Sequence, residues 1–319
     1  MGNREVGTGD GGQGAAGGAP PRAGEPVTGA VPEAGAVGGV AAGVVGAAVP
    51  VPPVVQFDRV GKTYDTGHVA IRDVTFRVED RPGRGEFVSI LGPSGSGKST
   101  ILRLIAGLRP QYPPTTGSVL VGGQPVTRPG ADRGMVFQDY TAFDNRSVVD
   151  NIAFGLECRG VGDGERRAAA LEWMRRVGLD VDRDADKYPH ELSGGMRQRV
   201  AIARTLVLEP RIVLMDEPFG ALDPSTRFAM QDMLIALWAH LHTTVFFVTH
   251  SVEEAVYLGD RIYVISPAPG TILQEIPVPL PERPAREMQQ EPQFMKLVVD
   301  LRNALERLEA EVERRRTEG

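Results

Sequence analysis

The residues with the clearest chemical purpose lie in a glycine-rich segment that follows the apolar run Phe87–Leu91 and leads into a helical pattern. Three glycines let its backbone curl, so that successive N–H groups and the positive end of the next helix can bind phosphate oxygens. The spacing is G-x-x-x-x-G-K-[ST], with strand, loop and helix in the required order. It predicts a phosphate-binding loop made of Gly92, Pro93, Ser94, Gly95, Ser96, Gly97, Lys98, Ser99 and Thr100.

Four polar side chains in and before this loop have separate expected tasks. Lys98 is expected to reach the β- and γ-phosphates of a nucleotide, Ser99 to offer its hydroxyl to Mg²⁺, and Thr100 to support the α-phosphate. Tyr64, ahead of the loop, could stack on a base. The alternative is a Gly/Ser turn before an ordinary helix, but the preceding strand and the Lys-Ser pair favour a nucleotide site.

Two carboxylates and a histidine follow later apolar runs. The run 211–215 ends in Asp216 and Glu217, and the run 244–249 is followed by His250. A Mg²⁺-nucleotide site places a strand with adjacent carboxylates opposite its phosphate loop, the first acid serving the metal and the second facing the water. The alternatives are a structural carboxylate at a strand end and a histidine held in the core.

Strands whose carboxyl ends meet are needed to position these residues. Strands that alternate with helices and carry chemistry at their carboxyl ends predict an open parallel α/β sheet. The segments 54–60 and 70–78 alternate as half-buried strands do, and the pair 122–123, Gly-Gly, indicates a hairpin. Residues 134–138 are predicted to form a short buried strand that ends in a polar side chain.

Two helical regions lie outside this sheet. Residues 140 to about 190 are predicted to form an inserted helical subdomain, in which one helix stops at Gly178. Between 294 and 312, apolar residues recur in steps of four and three, which predicts an amphipathic helix. Packing of this helix on its own domain is favoured, because fewer than three heptads rarely sustain a coiled coil.

Composition sets limits on the rest of the chain. The 319 residues are 41% hydrophobic, which is enough for a large core. Residues 1–53 contain no Leu, Ile, Phe, Tyr or Trp, so they cannot offset their ordering entropy and are predicted to be a disordered tail. The net charge of −6 gives no general attraction to nucleic acid or anionic membranes. A single cysteine, Cys158, excludes an internal disulfide.

No membrane-spanning or targeting segment is expected. The longest uncharged stretch, 34–57, has no Leu or Ile and is interrupted by prolines near its end. Glycines and acids follow Met1 where a signal peptide would have its apolar core. The expectation is a protein that reaches a membrane, if at all, as a peripheral component.

The ordered set of motifs resembles the ATP-binding subunits of ABC transporters over about 54–280. The motifs that carry the resemblance are Tyr64, the phosphate loop, Gln138, Leu192-Ser-Gly-Gly195, Asp216-Glu217, Ala221-Leu-Asp223 and His250. The segment 260–280 is similar to the nitrate, sulfonate and taurine (bicarbonate) importer branch. That branch typically has a Phe-Pro-Trp-like segment after the glutamine, where this chain has Phe143-Asp-Asn-Arg146.

The resemblance implies an α/β fold of the P-loop NTPase type. It consists of a RecA-like mixed or parallel sheet core, an antiparallel β subdomain and a helical subdomain at about 140–195, followed by a helical extension at 281–319. It also implies that two cassettes pack head to tail. Each ATP would lie between the phosphate loop of one chain and Ser193, Gly194 and Gly195 of the other, at a helix start that favours anions.

Roles for five further residues are implied by the resemblance. Glu217 is the general base for the attacking water, and Asp216 holds Mg²⁺ through water. Gln138 reaches the metal and senses the γ-phosphate, and His250 contacts that phosphate. Asp223 communicates across the dimer, with a plain helix cap as the alternative.

The implied function is a Mg²⁺-dependent ATPase that drives import of a small oxyanion or sulfonate through a separate permease, from the cytoplasmic face of the membrane. Its partners would be a second copy of the chain, the permease and, through it, a solute-binding protein, with no nucleic acid. The alternatives are an importer of another small solute and a non-transport ABC ATPase acting on nucleic acid or ribosomes. The single phosphate loop favours a transporter. Residues 140–148 are expected to contact the permease, with Phe143 as the apolar anchor.

Overall fold

The computed structural model describes residues 51–81, 83–139, 141–278 and 284–317. The predicted tail therefore lies outside the described residues except for 51–53, and so do Tyr140 and the expected domain boundary near 280. The strands are β1 (Val55–Thr63), β2 (Val69–Val78), β3 (Phe87–Leu91), β4 (Thr116–Val121), β5 (Gln124–Pro125), β6 (Arg133–Val136), β7 (Ile212–Asp216), β8 (Thr244–Thr249), β9 (Arg261–Ile265) and β10 (Ile272–Pro277).

The helices surround these strands. They are α1 (Lys98–Ala106), α2 (Val148–Cys158), α3 (Asp163–Arg176), α4 (Val181–Asp184), α5 (Gly194–Leu206), α6 (Pro224–Trp238), α7 (Val252–Leu258), α8 (Ala285–Met288) and α9 (Pro292–Thr317), with a 3₁₀ turn at Pro189–Glu191. None of the helices in the described ranges is both long and apolar enough to cross a membrane.

A six-stranded sheet forms the centre, in the order β10-β9-β3-β8-β7-β6. Strands β9, β3, β8, β7 and β6 are parallel, and β10 alone among the described strands of this sheet runs antiparallel to its neighbour. Because β3, β7 and β8 are neighbours and parallel, their carboxyl ends meet at one edge. The predicted parallel α/β sheet is confirmed, and this edge is where the phosphate loop, the carboxylate pair and His250 follow their strands.

Alternate residues of the central strands point into two separate apolar layers, as a pleated strand requires. Val213, Met215 and Phe247 pack with the helical side of the molecule. Leu214 and Phe246 pack with α1 and the antiparallel sheet. That second sheet has the order β2-β1-β4-β5, and its β4-β5 turn contains the predicted Gly122-Gly123 pair, both with positive φ. Both the antiparallel subdomain and the hairpin are thus confirmed.

One predicted strand differs in the structure. Residues 134–138 are not a buried strand that ends at the glutamine, because β6 ends at Val136 and Gln138 is exposed. β6 is the outer strand of the central sheet, so only Val136 in it is fully buried. The sequence pattern of a short apolar run does not distinguish a central strand from an edge strand.

The helical region begins later than predicted. Residues 141–147 are not helical, and α2 starts at Val148 with Ser147 as its N-cap, whose hydroxyl accepts a hydrogen bond from the Asp150 N–H. A serine that competes for backbone N–H groups favours a helix start over a helix interior. The predicted stop is confirmed, since α3 ends at Arg176 and Gly178 has φ of 72°.

The C-terminal helix α9 is longer than the predicted 294–312 segment. Phe294, Val298 and Leu301 on its first turns are buried in the same apolar layer as the helical side of the sheet. An ion pair between Arg302 and Glu253 of α7 adds a polar contact beside them. This half of α9 therefore packs on its own domain, as the spacing predicts, and the side chains at 308 and 312 lie outside the description.

Candidate nucleotide site

The phosphate loop connects β3 to α1 with the backbone that the sequence predicts. Gly97 caps the start of α1 with φ of 89°, a left-handed conformation that costs glycine little. A Cβ atom at Gly97 would lie 2.8 Å from the carbonyl oxygen of Ala70, and one at Gly92 would lie 2.7 Å from that of Ile265. Both positions therefore lack space for a side chain, and Gly97 also needs glycine for its left-handed backbone.

Lys98 is enclosed by its own loop. Its Nζ donates hydrogen bonds to the carbonyl oxygens of Gly92 and Pro93, both at 2.9 Å, and lies 3.6 Å from Oε1 of Glu217. The side chain is only 4% exposed. Burial lowers the pKa of Lys98, and the nearby Glu217 and Asp216 carboxylates oppose that change. The ammonium group is thus held inside the loop by neutral carbonyl oxygens, and its expected contact with phosphates stays a prediction.

Asp216 lies beside Ser99 at the end of β7. The Ser99 hydroxyl donates to Oδ1 of Asp216 at 2.7 Å, and Nη2 of Arg103 lies 3.8 Å from Oδ2. Burial raises the pKa of Asp216, while the Ser99 hydrogen bond and the Arg103 charge act in the opposite direction. Two oxygen donors of the kind that Mg²⁺ prefers are thus already together.

Glu217 stands between Lys98 and His250. Its backbone has φ of 45°, which is rare for a residue with a side chain and is held by a hydrogen bond from its N–H to Val248 O at 3.1 Å. This conformation turns the chain directly after β7. Oε2 of Glu217 is 3.2 Å from Nδ1 of His250, and Oε1 faces Lys98.

A cavity of about 350 Å³ collects most of the predicted nucleotide-binding residues. Tyr64 borders it and shares a hydrogen bond of 3.0 Å with the Thr100 hydroxyl. Gln138 also borders it, although it follows a different strand. The lining residues are Tyr64, His68, Ala70, Ser94, Gly95, Ser96, Gly97, Lys98, Ser99, Thr100, Gln138 and Glu217.

Eight of the predicted site residues are not part of the cavity lining. Gly92, Pro93, Asp216 and His250 adjoin or bond residues that line it, whereas Ser193, Gly194, Gly195 and Asp223 lie at the starts of two helices. Ser193 caps α5, where its hydroxyl accepts from Met196 N at 3.3 Å, and Gly194 and Gly195 open that helix. Asp223 caps α6 by accepting from the backbone N–H groups of residues 225 and 226. These hydrogen bonds hold the pKa of Asp223 well below its usual range. Within one chain Ser193 and Asp223 serve as helix caps and the two glycines begin α5, and their part in a shared site stays a prediction.

Two residues near the site were not predicted from the sequence. Arg103 reaches Asp216 from one helical turn after Ser99, a spacing of four that places both on one face of α1. The ring of His68 is stacked on that of Tyr64, with centroids 6.3 Å apart. The available signal was an aromatic residue, His68, shortly after Tyr64. The sequence did not show that the turn between them brings the two rings into contact.

The strand, loop and helix, the carboxylate pair at the end of β7 and the helical insertion together define an ATP-hydrolysing cassette of the P-loop class. A family model described as ABC transporter matches residues 72–220. The chain is also 47% identical over 249 residues to the nitrate import ATP-binding protein NrtD of Synechocystis sp., covering 76% of this chain and 90% of that protein. The chain belongs to the ABC transporter family.

Two further relatives agree with this. The taurine import ATP-binding protein TauB of Rhizobium johnstonii is 48% identical over 231 residues, covering 71% of this chain and 86% of that protein. An uncharacterised ABC transporter ATP-binding protein of Methanocaldococcus jannaschii is 54% identical over 199 residues, covering 62% of this chain and 72% of that one.

Solved structures show the same cassette fold. A dimeric ATP-binding cassette in a post-hydrolysis state, bound to ADP and Pi, has a TM-score of 0.61 and 34% identity, and the match covers 70% of this chain and 99% of that one. CbiO1 from Clostridium perfringens, part of the ABC transporter complex CbiONQ, has a TM-score of 0.62 and 26% identity, with 82% and 99% covered.

Proposed function

We propose that the chain is the ATP-hydrolysing subunit of an importer for a small anion, such as nitrate, taurine or another sulfonate. It acts as a peripheral subunit at the cytoplasmic face of the membrane, on a separate permease that is served by a solute-binding protein. The names of relatives matched over 86% and 90% of their length support this class of solute. The observation that carries the proposal is the Glu217 carboxylate, held between Lys98 and His250 at the rim of the cavity.

In hydrolysis, Glu217 accepts the proton of a water molecule that attacks the γ-phosphorus of ATP, and the bond to the β-γ bridging oxygen breaks to leave ADP and phosphate. Lys98 exchanges its loop carbonyl partners for phosphate oxygens, because its ammonium group already lies within the loop and donates two hydrogen bonds to loop carbonyls. His250 orients the Glu217 carboxylate through Nδ1 and presents its other ring nitrogen to the γ-phosphate. Gln138 contacts the same end of the nucleotide, and Tyr64 stacks on the base.

The residues at the end of β7 fit a Mg²⁺ ion. The Ser99 hydroxyl and the Asp216 carboxylate are hard oxygen donors 2.7 Å apart, and Gln138 offers an amide oxygen at the same cavity. In the described part of the chain, no group of three or more His, Cys, Asp and Glu could hold a metal. The oxygen donors of Ser99, Asp216 and Gln138 suit Mg²⁺, which is typically bound by few protein ligands together with substrate phosphates. When bound, the ion would neutralise charge on the β- and γ-phosphates.

The site is completed by a second copy of the chain. The solved relative that is bound to ADP and Pi is dimeric, which supports this arrangement. Ser193 and Asp223 are exposed at the starts of α5 and α6 and lie outside the lining of the cavity, so they are free to face the nucleotide of a partner. Backbone N–H groups at the start of α5 would bind the γ-phosphate from across the interface.

The segment from 141 to 148 is well suited to contact the permease. Buried Asn151 holds it in place by accepting from Phe143 N at 2.8 Å and donating to the carbonyl oxygens of Phe143, Arg146 and Ser147. Phe143 is 37% exposed and packs on Phe154, with ring centroids 4.5 Å apart. A fixed and partly exposed aromatic ring is the type of anchor that interfaces use.

The polar side chains next to Phe143 indicate which kind of permease surface would bind this segment. Asp144 and Asn145 are exposed beside Phe143, while Arg146 forms a two-point ion pair with Glu157. The acid and the amide therefore remain available for a partner, and a permease loop that carries Arg or Lys would bind them through charge-assisted hydrogen bonds.

Cross-linking tests this placement. In a Cys158→Ser background, which removes the exposed native thiol, a cysteine introduced by Asp144→Cys is expected to cross-link to a cytoplasmic loop of the permease in the assembled complex. Glu306→Cys, an exposed position on α9, is the matched control and should give no such product. Cross-links from Glu306→Cys alone, with unchanged transport in Asp144→Ala, would show that the contact lies elsewhere.

The proposed solute class is tested on the complex of ATPase, permease and binding protein reconstituted in lipid nanodiscs. Its ATPase rate should rise several-fold when the loaded binding protein and nitrate or taurine are added, because ATP turnover is coupled to delivery of the solute. Chloride serves as the control anion. A complex that responds to a cation or a sugar, and to none of the anions, would overturn the anion assignment while leaving the ATPase activity itself intact.

A further inference from the structure

A buried carboxylate, that of Glu254, is hydrogen-bonded to the turn that carries His250. Glu254, on α7, is 7% exposed, and its Oε2 accepts a hydrogen bond from the Thr249 hydroxyl at 2.6 Å. The same hydroxyl accepts from Ser251 N at 3.0 Å. The residues on both sides of His250 are therefore tied to one another and to Glu254 through a single hydroxyl group.

The other oxygen of Glu254 faces α6. Oε1 accepts a weak hydrogen bond from Gln231 Nε2 at 3.4 Å, and Arg227 Nε lies 3.7 Å away from it. Arg227 in turn donates through Nη2 to the carbonyl oxygen of Leu222, at 3.0 Å. Leu222 directly precedes Asp223, the N-cap of α6. One carboxylate thus connects the turn that carries His250 with the start of the helix that Asp223 caps.

We propose that Glu254 is a positioning residue for ATP hydrolysis, which sets the position of His250 according to where α6 and its Asp223 cap lie. The proposal rests on the function proposed above, since it takes His250 to act at the γ-phosphate. Glu254 does not line the nucleotide cavity and touches no reacting atom. It acts through Thr249 and the backbone of the 249–251 turn.

The two sides of the carboxylate differ in a way that suits such a link. The hydrogen bond from Thr249 is short, at 2.6 Å, whereas the contacts from Gln231 and Arg227 on α6 are long, at 3.4 and 3.7 Å. Arg227 Nε and Gln231 Oε1 are buried without a hydrogen-bond partner in the described residues. A small shift of α6 toward α7 would shorten the Arg227 contact, so a movement at Asp223 changes the bonds that hold the His250 turn.

The cost of burying this group argues against a role in packing alone. A buried carboxylate loses its hydration and is retained only where it is paired or hydrogen-bonded. Burial also raises the pKa of Glu254, and the Thr249 hydrogen bond and the Arg227 charge oppose this. An apolar side chain at this position would bury as well without that cost. The carboxylate is therefore explained by the bonds that it makes to two separate elements.

Glu254→Gln tests the link with little change in shape. An amide has one acceptor and one donor end, so after the change it can accept from Thr249 and donate to Gln231 Oε1, but it then turns an N–H toward Arg227 in place of the carboxylate oxygen, and the Arg227 contact is lost. We expect kcat for ATP to fall about tenfold to a hundredfold, as small misplacements of catalytic groups do. The KM for ATP should stay within about twofold, because the phosphate loop is untouched.

A swapped pair provides the rescue. Adding Gln231→Glu to Glu254→Gln places the carboxylate on α6, where it can accept from the new amide on α7, whose oxygen still accepts from Thr249. The double variant should recover kcat to within about threefold of the original chain, since both links are restored. Gln231→Glu alone brings two carboxylates together and should lower kcat. Glu172→Gln, which changes an exposed acid that pairs with Arg175 and Arg176 on α3, is the control and should leave kcat unchanged.

The outcomes separate this inference from the function it rests on. His250→Ala is measured in parallel, and if it keeps full turnover the proposed role of His250 itself fails. If His250→Ala is inactive while Glu254→Gln keeps kcat within twofold of the original chain, only the positioning role fails. A third outcome is that Glu254→Gln lowers both kcat and the melting temperature and that Gln231→Glu does not rescue it. The Glu254 carboxylate would then have a structural role alone, which also overturns the inference.

Discussion

Replacing Glu217 by Gln should give a chain that binds ATP and barely hydrolyses it. The amide keeps the size of the side chain and can still approach His250, but it cannot take a proton from water. We expect kcat to fall by at least about a hundredfold, the usual effect of losing a general base. Rapid-quench measurement of phosphate release gives the rate, and chromatography of the bound nucleotide should find ATP in place of ADP.

A matched control for this variant lies at the opposite end of the same strand. Glu209 precedes β7 as Glu217 follows it, and it also has a positive φ, of 48°. Glu209→Gln therefore makes the same chemical change in a similarly strained backbone away from the cavity, and should leave kcat unchanged. Hydrolysis by Glu217→Gln at a rate near that of the original chain would show that another group activates the water.

Lys98→Ala should instead weaken nucleotide binding. The ammonium is buried among loop carbonyls and two carboxylates. Its removal takes away the positive charge 3.6 Å from Glu217, while Asp216 keeps the Arg103 guanidinium 3.8 Å away. Loss of one partner from a buried charge pair commonly costs several kcal/mol, so we expect the Kd for ATP to rise by about a hundredfold or more. Calorimetric titration with ATP measures this directly.

The control here is a lysine that pairs with a buried acid elsewhere. Lys187 binds Asp184 in the helical subdomain at 2.7 Å, and Lys187→Ala should leave ATP affinity unchanged even where it lowers the melting temperature. If Lys98→Ala binds ATP as tightly as the original chain does, the loop does not hold the phosphates in the proposed way.

Much of the fold and the site could be predicted because local chemistry decides it. The phosphate loop needs glycine at Gly97 to avoid the Ala70 carbonyl, and that requirement is visible in the sequence as a motif. Strands β3, β7 and β8 are buried on both faces and appear as unbroken apolar runs. Because helices separate these strands along the chain, they are predicted to run parallel, which brings Asp216 and His250 to the same edge as the loop.

The parts that the sequence did not predict depend on contacts between distant residues. Nothing local shows that Glu217 adopts a left-handed backbone, since this conformation is held by a bond to Val248 on the next strand. Nor does the pattern show that β6 is an edge strand, which follows from the strand order of the whole sheet. Glu254 is one of two adjacent glutamates, and only packing against α6 distinguishes it from its partly buried neighbour.

The central claim is that two chains share each ATP, and the mass of the Glu217→Gln chain in solution tests it most directly. With Mg-ATP, this chain is expected to have the mass of two copies, and with ADP the mass of one. Adding Ser193→Arg, which places a bulky charge at the start of α5 outside the cavity lining, should keep ATP bound and return the mass to one copy. A double variant that still pairs with Mg-ATP, or a Glu217→Gln chain that binds ATP and remains a single copy, would contradict the account.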